Sequence, residues 1–231
     1  MAALCAVVTP SYNDAPFLTD CVTSVYDAAR RATVDVEHVI ADDASTDDTP
    51  AVLDRLSEAY GVRSARLSEN RGCSAALNAA ISMTDAPWLL VLASDDMVKE
   101  NCFSEWQNAV TAHPGANVVY SDLELFGRET GLYKTPAFRK TLLRERNILP
   151  GCSFLRRQLF DAVGGFAVSL RTAQDWDFWV RADMAVGLRP KKVTTPMVRY
   201  RRHHTPRLHN ETVANFTAIQ AHIQRLARGA A

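Results

Sequence analysis

Residues 89–96 read LLVLASDD, an apolar run that ends in two adjacent carboxylates. Burying an ionised carboxylate without a partner costs on the order of several kcal/mol, which is comparable to the stability of a whole domain. The run therefore predicts a buried strand whose tip, Asp95 and Asp96, either reaches water or meets a positive charge.

Apolar runs alternate with helical patterns through the first half of the chain. Strands are predicted at 3–9, 38–41, 62–67, 88–93 and 118–121, and the helices between them begin near Pro16, Thr49, Cys73 and Asn101. This alternation predicts an α/β fold, Rossmann-like, with a mostly parallel central sheet covered by helices. Ligands bind such sheets beyond the carboxyl ends of the strands. Three of the strands end in the polar segments TPSYND, ADDASTDD and ASDD, so we expect the carboxyl ends of these strands to face one crevice.

The second half has a different pattern. It predicts a hairpin of strands 120–126 and 132–138, a helix at 138–147, a strand and helix in CSFLRRQLFDAVGGF, a helix at 172–185 and two short strands near 191–194 and 197–202. We divide the chain into residues 1–121, a smaller subregion 122–211 of the same domain, and an amphipathic C-terminal helix, 212–231. That helix would either dock on the core or form a dimer seam.

Composition narrows the class of protein. The 231 residues are 47% hydrophobic, and 26 basic residues balance 26 acidic ones, which predicts no nucleic-acid partner. The longest apolar runs fall short of the roughly 20 residues that a transmembrane helix needs. The N-terminus lacks the basic region of a signal peptide, and five cysteines without CxxC spacing favour a reducing compartment. We expect a cytoplasmic protein.

Six motifs, in this order, resemble family 2 glycosyltransferases of the GT-A fold: VVTPSYND, HVIADDASTDDT, ENRGCSAALNAAI, VLASDD, VGGF and QDWDFWVR. The resemblance extends from about residue 7 to residue 204. It implies inverting transfer of a sugar from a nucleoside-diphosphate donor, usually with a divalent metal, Mn²⁺ or Mg²⁺. Residues 1–121 would then bind the nucleotide sugar, and residues 122–211 would bind the acceptor and carry the catalytic base.

Asp95 and Asp96 would lie beside the donor diphosphate. Two carboxylates and a diphosphate need a cation between them, and hard divalent cations prefer oxygen ligands. The resemblance implies that Asp96 binds the metal and that Asp95 faces the ribose. The family often has one more acid where this chain has Ala93. The alternative for an isolated pair is a solvated strand end, with Asp96 capping the next turn.

The nucleotide base would be recognised by donor-binding residues in the first loops. The resemblance implies that Asp43 accepts the imide N–H of uracil, which favours a UDP-sugar. Thymine offers the same imide, so a dTDP-sugar stays open as the donor. A donor with guanine as its base stays open as well. Tyr12, after Pro10, would stack on the ring. Arg71 would contact the diphosphate or the base. The alternatives are an Asx turn in DDASTDD, an ordinary half-buried tyrosine, and a surface arginine beside a turn.

QDWDFWVR would supply the catalytic base. The resemblance implies that Asp175 takes the proton from the acceptor hydroxyl, although Gln174 stands where the family has Glu. The structural alternative, a first-turn acid stabilised by the helix dipole, is compatible with that role. Asp177 is interpreted as structural or acceptor-binding, Asn78 as holding a loop, and the VGGF glycines as ending a helix close to the sugar.

YRRHHTPRLHN offers a cluster of basic residues. By the resemblance His203 would bind the metal, with His204 as the second choice, and Arg201, Arg202 and Arg207 would contact phosphate from a mobile lid. The alternative is a solvated basic loop.

The sequence thus predicts an inverting, metal-dependent, non-processive glycosyltransferase of the hexosyltransferase type. Non-processivity rests on the missing membrane helices and on the absence of the QxxRW text. The acceptor is a hydroxyl of unassigned class. Two alternatives stay open. One is an inactive nucleotide-sugar-binding or scaffold protein, because of Gln174 and Ala93. The other is a nucleotidyltransferase, which would need a glycine- and lysine-rich loop where this chain has TPSYND.

Overall fold

The structure, a computed structural model, describes residues 4–203, 215–227 and 229 of the chain. Its strands are β1 Cys5–Ser11, β2 Val36–Asp42, β3 Arg63–Arg66, β4 Trp88–Val91, β5 Met97–Val98, β6 Val118–Gly127, β7 Gly131–Tyr133, β8 Phe154–Arg156 and β9 Pro190–Arg202. Its helices are α1 Ala15–Ala32, α2 Thr49–Tyr60, α3 Cys73–Ser82, α4 Cys102–Ala112, α5 Lys140–Glu145, α6 Arg157–Val163, α7 Gln174–Ala185 and α8 Phe216–Ala227. Within the described residues, no helix is both long enough and apolar enough to span a bilayer.

All the strands belong to one sheet, with the order β3-β2-β1-β4-β8-β6-β9-β5 and β7 paired to the side of β6. β1 lies between β2 and β4 and runs parallel to both. Its side chains alternate between two cores: Val7 packs in the cluster that includes Phe103 and Trp106 of α4, whereas Val8 packs in the cluster that includes α3 and α7. Burial on both faces explains why β1 reads as an unbroken apolar run.

The second half of the chain makes the sheet mixed. β8 is antiparallel to β4 and β6, and β7 is antiparallel to β6, whereas β9 runs parallel to β6. The α/β fold with a helix-covered sheet is confirmed, and the parallel pairs are those among β1 to β4 and between β6 and β9.

The long strands of the second half were predicted as shorter pieces. Residues 118–121 and 120–126 form the single strand β6, and residues 191–194 and 197–202 form the single strand β9. The pairing of β6 with β9 shifts register between Ser121 and Leu123. Such an irregularity breaks the two-residue alternation of side chains, so the apolar pattern splits although the strand continues. The second hairpin strand and α5 are also shorter than predicted.

The C-terminal helix docks on the body of the protein. Ile223 is fully buried in the core cluster that contains Trp176, and Ile219 and Leu226 pack against the same cluster. His222 Nε2 lies 2.9 Å from Asp177 Oδ1 of α7. Of the two interpretations of the amphipathic stripe, docking on the core is therefore what the structure shows.

Candidate active site

A single cleft of about 1390 Å³ opens beyond the carboxyl ends of β1, β2 and β4 and beside the start of α7. Because these strands are parallel, their C-terminal loops meet at one edge of the sheet. All nine residues predicted for the site line this cleft: Pro10, Tyr12, Asp43, Arg71, Asp95, Asp96, Asp175, Arg201 and His203. The expected convergence of the three strand tips is confirmed, while the individual roles stay predictions.

The acidic tip of β4 meets basic residues from β9. β5 pairs with the end of β9, which brings Arg201 and His203 beside the carboxylates. Asp96 is 2% exposed, and its Oδ1 accepts the backbone N–H of Arg201 at 2.8 Å. Burial, and then the neighbouring charge of Asp95, raise the pKa of Asp96 well above its usual value. The apolar run that ends in two acids therefore ends against a positive partner.

Arg201 is held by several groups at once. Its Nε donates to the backbone carbonyl of Asp95 at 2.8 Å. Its guanidinium lies over the rings of Phe17 and Phe126, 4.7 and 4.4 Å from the ring centroids. These contacts fix the Arg201 guanidinium beside Asp95 and Asp96, where it offsets the charge of the two carboxylates.

His203 contacts Asp95 directly, with 2.6 Å between Nε2 and Oδ2. The side chains of Asp95 and His203 are each 15% exposed, so the pair lies largely out of water. A carboxylate that accepts from one ring nitrogen fixes the tautomer and orientation of an imidazole. His204 and Arg207 lie outside the described residues.

The side chains of Asp95, Asp96 and His203 can be compared with the ligands that a divalent metal needs. No group of three or more His, Cys, Asp or Glu side chains in the described part of the chain is placed to hold a metal ion. Mg²⁺ is usually held by one or two carboxylates together with substrate phosphates, rather than by an all-protein cage. The Asp96 carboxylate is an oxygen ligand of the kind that Mn²⁺ and Mg²⁺ prefer, and the His203 imidazole is a ligand of transition metals, so the pair suits Mn²⁺ better than Mg²⁺. The residues present therefore fit a cation shared with phosphate oxygens.

The two adjacent aspartates at the start of the loop after β2 make different contacts. Asp42 Oδ1 accepts the backbone N–H of Ser45 at 2.9 Å, which is the Asx turn. Asp43 is 3% exposed, and its two oxygens accept the backbone N–H groups of Arg71 and Gly72 at 2.8 and 2.7 Å. Asp43 thus fixes the ENRG loop while it lines the cleft.

Tyr12 lies at the other side of this loop. Its side chain is 44% exposed, so the ring is open to a ligand in the cleft. Asn13, next to it, has a φ of 54°, and its Oδ1 accepts the backbone N–H of Thr46 at 2.8 Å. That bond ties the loop after β1 to the loop after β2, so Tyr12 and Asp43 are held in one region of the cleft.

Asp175 lies in the first turn of α7. Its Oδ2 accepts an N–H from Asn147 Nδ2 at 2.8 Å, and its Oδ1 accepts the backbone N–H of Trp176 at 2.8 Å. Burial raises the pKa of Asp175, and these two hydrogen bonds oppose the rise. Gln174, next to it, opposes the rise that burial causes in the pKa of the Cys73 thiol. A carboxylate with a raised pKa in a cleft is typical of a general base.

Asn147 was missed by the sequence analysis. It follows α5, in text that predicts only a charged helix and its end, and its contact with Asp175 lies 28 residues away along the chain. A short-range pattern carries no signal for such a pair.

Two other predicted residues have structural contacts. Asp177 Oδ2 accepts from Arg181 Nε at 2.7 Å, and Oδ1 faces His222, so the structural interpretation of Asp177 is supported. Asn78 donates to the Phe166 carbonyl and accepts the Phe166 N–H, both at 2.9 Å, so it ties α3 to the VGGF loop. α6 ends at Gly164, with a φ of 70°, as predicted.

Comparison with known proteins defines the class. The family model for glycosyl transferase family 2 matches residues 6–171. The PGL/p-HBAD biosynthesis glycosyltransferase of Mycobacterium bovis is 30% identical over 183 residues, which are 78% of this chain and 70% of that protein. The chain is a family 2 glycosyltransferase.

Solved structures share the fold. S. aureus TarS 1–349 in complex with UDP-GlcNAc has a TM-score of 0.77 at 16% identity, over 100% of this chain and 71% of that one. The mannosyltransferase PcManGT from Pyrobaculum calidifontis, in complex with GDP-Man and Mn²⁺, has a TM-score of 0.65 at 23% identity, over 92% of this chain and 61% of that one. These likenesses confirm the GT-A architecture.

Proposed function

We propose that this glycosyltransferase is inverting, metal-dependent and non-processive, and that it transfers a sugar from a nucleoside-diphosphate donor to a hydroxyl of its acceptor. The observation that carries the proposal is that Asp43, Asp96 and Asp175 line one cleft. The bound UDP-GlcNAc of TarS and the bound GDP-Man and Mn²⁺ of PcManGT support a nucleotide-sugar donor and a metal. Non-processivity rests on the absence of the QxxRW text.

The donor base would lie between Tyr12 and Asp43, with Pro10 and Arg71 at the edges. Asp43 is held by two backbone N–H groups, and a carboxylate has lone pairs for a third donor. The imide N–H of uracil is such a donor, which favours a UDP-sugar over a CDP-sugar; a dTDP-sugar has the same imide.

Asp96 and His203 would hold the metal. Asp95 accepts from His203 Nε2, so Nδ1 is the ring nitrogen left for a ligand bond, and Asp95 orients it. The bound cation would supply Lewis-acid stabilisation of the departing diphosphate. Arg201 adds fixed positive charge beside the same phosphates.

Asp175 would act as the single base. The acceptor oxygen forms a bond to the anomeric carbon from the face opposite the nucleotide. The bond from that carbon to the diphosphate oxygen breaks, and its electron pair leaves with the diphosphate. The acceptor proton passes to the Asp175 carboxylate. Because one attack occurs from the opposite face, the anomeric configuration inverts.

The variant Asp175→Asn tests this assignment. Loss of the base should reduce turnover of a UDP-sugar with Mn²⁺ by about 10²–10⁴-fold, measured as UDP release, while the donor Kd by calorimetry stays near the wild-type value. The matched control is Asp161→Asn, on the exposed side of α6. Near-normal turnover in Asp175→Asn would reject the base.

A further inference from the structure

The segment between α5 and β8 packs against the first turn of α7. Ile148 and Leu149 are 2% and 1% exposed and anchor this segment in the core. Ser153 closes its far end, with Oγ donating to the Pro150 carbonyl at 2.6 Å and its N–H donating to the Gly151 carbonyl at 2.9 Å. The backbone on either side of the Asp175 contact is therefore held by packing and hydrogen bonds.

Asn147 contacts Asp175, and the backbone at Gly151 passes beside it. Asn147 Nδ2 donates to Asp175 Oδ2 at 2.8 Å. A Cβ built on Gly151 would lie at an ordinary van der Waals distance, 3.4 Å, from the same oxygen, so the backbone of this segment passes close to the carboxylate. Because an ionised carboxylate only accepts hydrogen bonds, the amide of Asn147 must present its N–H side to Asp175.

The oxygen of the Asn147 amide differs from its nitrogen. Its Oδ1 is buried and has no hydrogen-bond partner among the described residues. Burying an amide oxygen in this way is destabilising, and an unsatisfied buried group in a native protein calls for an explanation. The contact that the side chain does make is with Asp175, so a role in the fold alone does not account for an asparagine at this position.

We propose that Asn147 is a positioning residue, whose amide holds the Asp175 carboxylate ionised and in one orientation, ready to accept the acceptor proton. The inference rests on the proposed role of Asp175 as the base. Burial acts on the Asp175 pKa in the opposite direction to Asn147. The thiols of Cys73 and Cys152 face the Asp175 charge, and burial raises the pKa of Cys73 to about 12 and that of Cys152 still further. Both thiols therefore stay neutral near pH 7.

The direct test is the pKa of Asp175 in the full chain, followed by ¹³C NMR of side-chain carboxyls and assigned by the signal missing from Asp175→Asn. In Asn147→Ala the Asp175 pKa should rise by about one unit, because a hydrogen bond to the charged form is lost. In Asn147→Asp it should rise further, because a second carboxylate opposes ionisation. The control Asn108→Ala changes an exposed asparagine of α4 and should leave the Asp175 pKa unchanged.

The same variants give a kinetic readout. The acid limb of kcat/KM for UDP release should move to higher pH in Asn147→Ala by the same amount as the NMR pKa. An Asp175 pKa that does not move in Asn147→Ala overturns the proposal, whatever the Tm does.

The outcome can be separated from that of the proposed function. If Asp175→Asn abolishes turnover and the Asp175 pKa is unmoved by Asn147→Ala, the base stands and the positioning role is lost. If Asp175→Asn leaves turnover near normal, the base itself is wrong.

Discussion

Asp43 combines two tasks in one side chain. It fixes the ENRG loop through the backbone N–H groups of Arg71 and Gly72, and its carboxylate lines the cleft where the donor base is proposed to bind. Gly72 has a φ of 87°, a conformation that suits glycine, so the loop depends on both residues. Donor binding and local stability are therefore linked at this residue.

Asp43→Ala should lower the free energy of unfolding by about 1.5–3 kcal/mol, because two backbone N–H groups lose the charged carboxylate that accepts their hydrogen bonds. Urea denaturation measures this, and calorimetry with UDP should show weaker binding. The matched control is Asp54→Ala, an exposed residue of α2, which should stay within about 0.5 kcal/mol of wild type. An unfolding midpoint for Asp43→Ala equal to that of the control would mean that the carboxylate does not hold the loop.

Residues at strand tips could be predicted from the sequence, whereas their partners could not. A carboxylate at the end of a buried run points to a site because its burial needs compensation, which is how the sequence points to Asp95 and Asp96, whereas Asp43 was assigned from the family resemblance. The contact of Asp95 with His203 spans 108 positions, and that of Asn147 with Asp175 spans 28. Such pairs depend on the tertiary fold, which no local pattern contains.

At the scale of elements, β1, β2 and β4 were predictable because burial leaves apolar runs, whereas β3, a mostly exposed strand at the edge of the sheet, was predicted from the alternation of its side chains. β5 was missed because Met97–Val98 is only a two-residue strand. β6 and β9 were divided because the register shift after Ser121 interrupts the alternation of side chains. Regular, buried elements are thus visible in the sequence, while short or irregular ones are fixed by their neighbours in the sheet.

The turn after α6 illustrates a tight packing between elements. Gly165 has a φ of 89°, and a Cβ at this position would lie 2.8 Å from Asn78 Oδ1 of α3. The same Asn78 oxygen accepts the Phe166 N–H, so it cannot move away without losing that bond. Both the backbone conformation and the lack of space therefore require glycine.

Gly165→Ala should destabilise the protein by about 1–3 kcal/mol, since alanine is strained at positive φ and also displaces Asn78. Gly115→Ala is the matched control, because a Cβ there would have nothing within 4 Å and its φ lies outside the left-handed region. The control should be neutral or slightly stabilising in thermal and urea denaturation. Equal stabilities for the two variants would contradict the close packing at Gly165.

For the molecule as a whole, the two halves share one sheet. The proposed boundary at residues 121 and 122 falls inside β6, at the register shift, and β8 lies between β4 of the first half and β6 of the second. The cleft takes Asp43 and Asp96 from the first half and Asp175, Arg201 and His203 from the second. A ligand that fills this cleft would contact both halves, so its binding free energy should add to the stability of the entire fold.

UDP should therefore raise the Tm of the wild-type protein in the presence of Mn²⁺, and much less in EDTA, because the diphosphate meets Asp95 and Asp96 without a cation. At a UDP concentration of about 100 times Kd the added stability is about 2.7 kcal/mol, which corresponds to a Tm increase of roughly 5–10 °C for a chain of this length. Asp96→Asn should remove the dependence on Mn²⁺, whereas Asp161→Asn should retain it.

CDP should produce a smaller Tm increase than UDP if Asp43 accepts the imide N–H of the base. A larger shift with GDP than with UDP would overturn the uridine preference, and equal shifts in Mn²⁺ and in EDTA would overturn the shared cation.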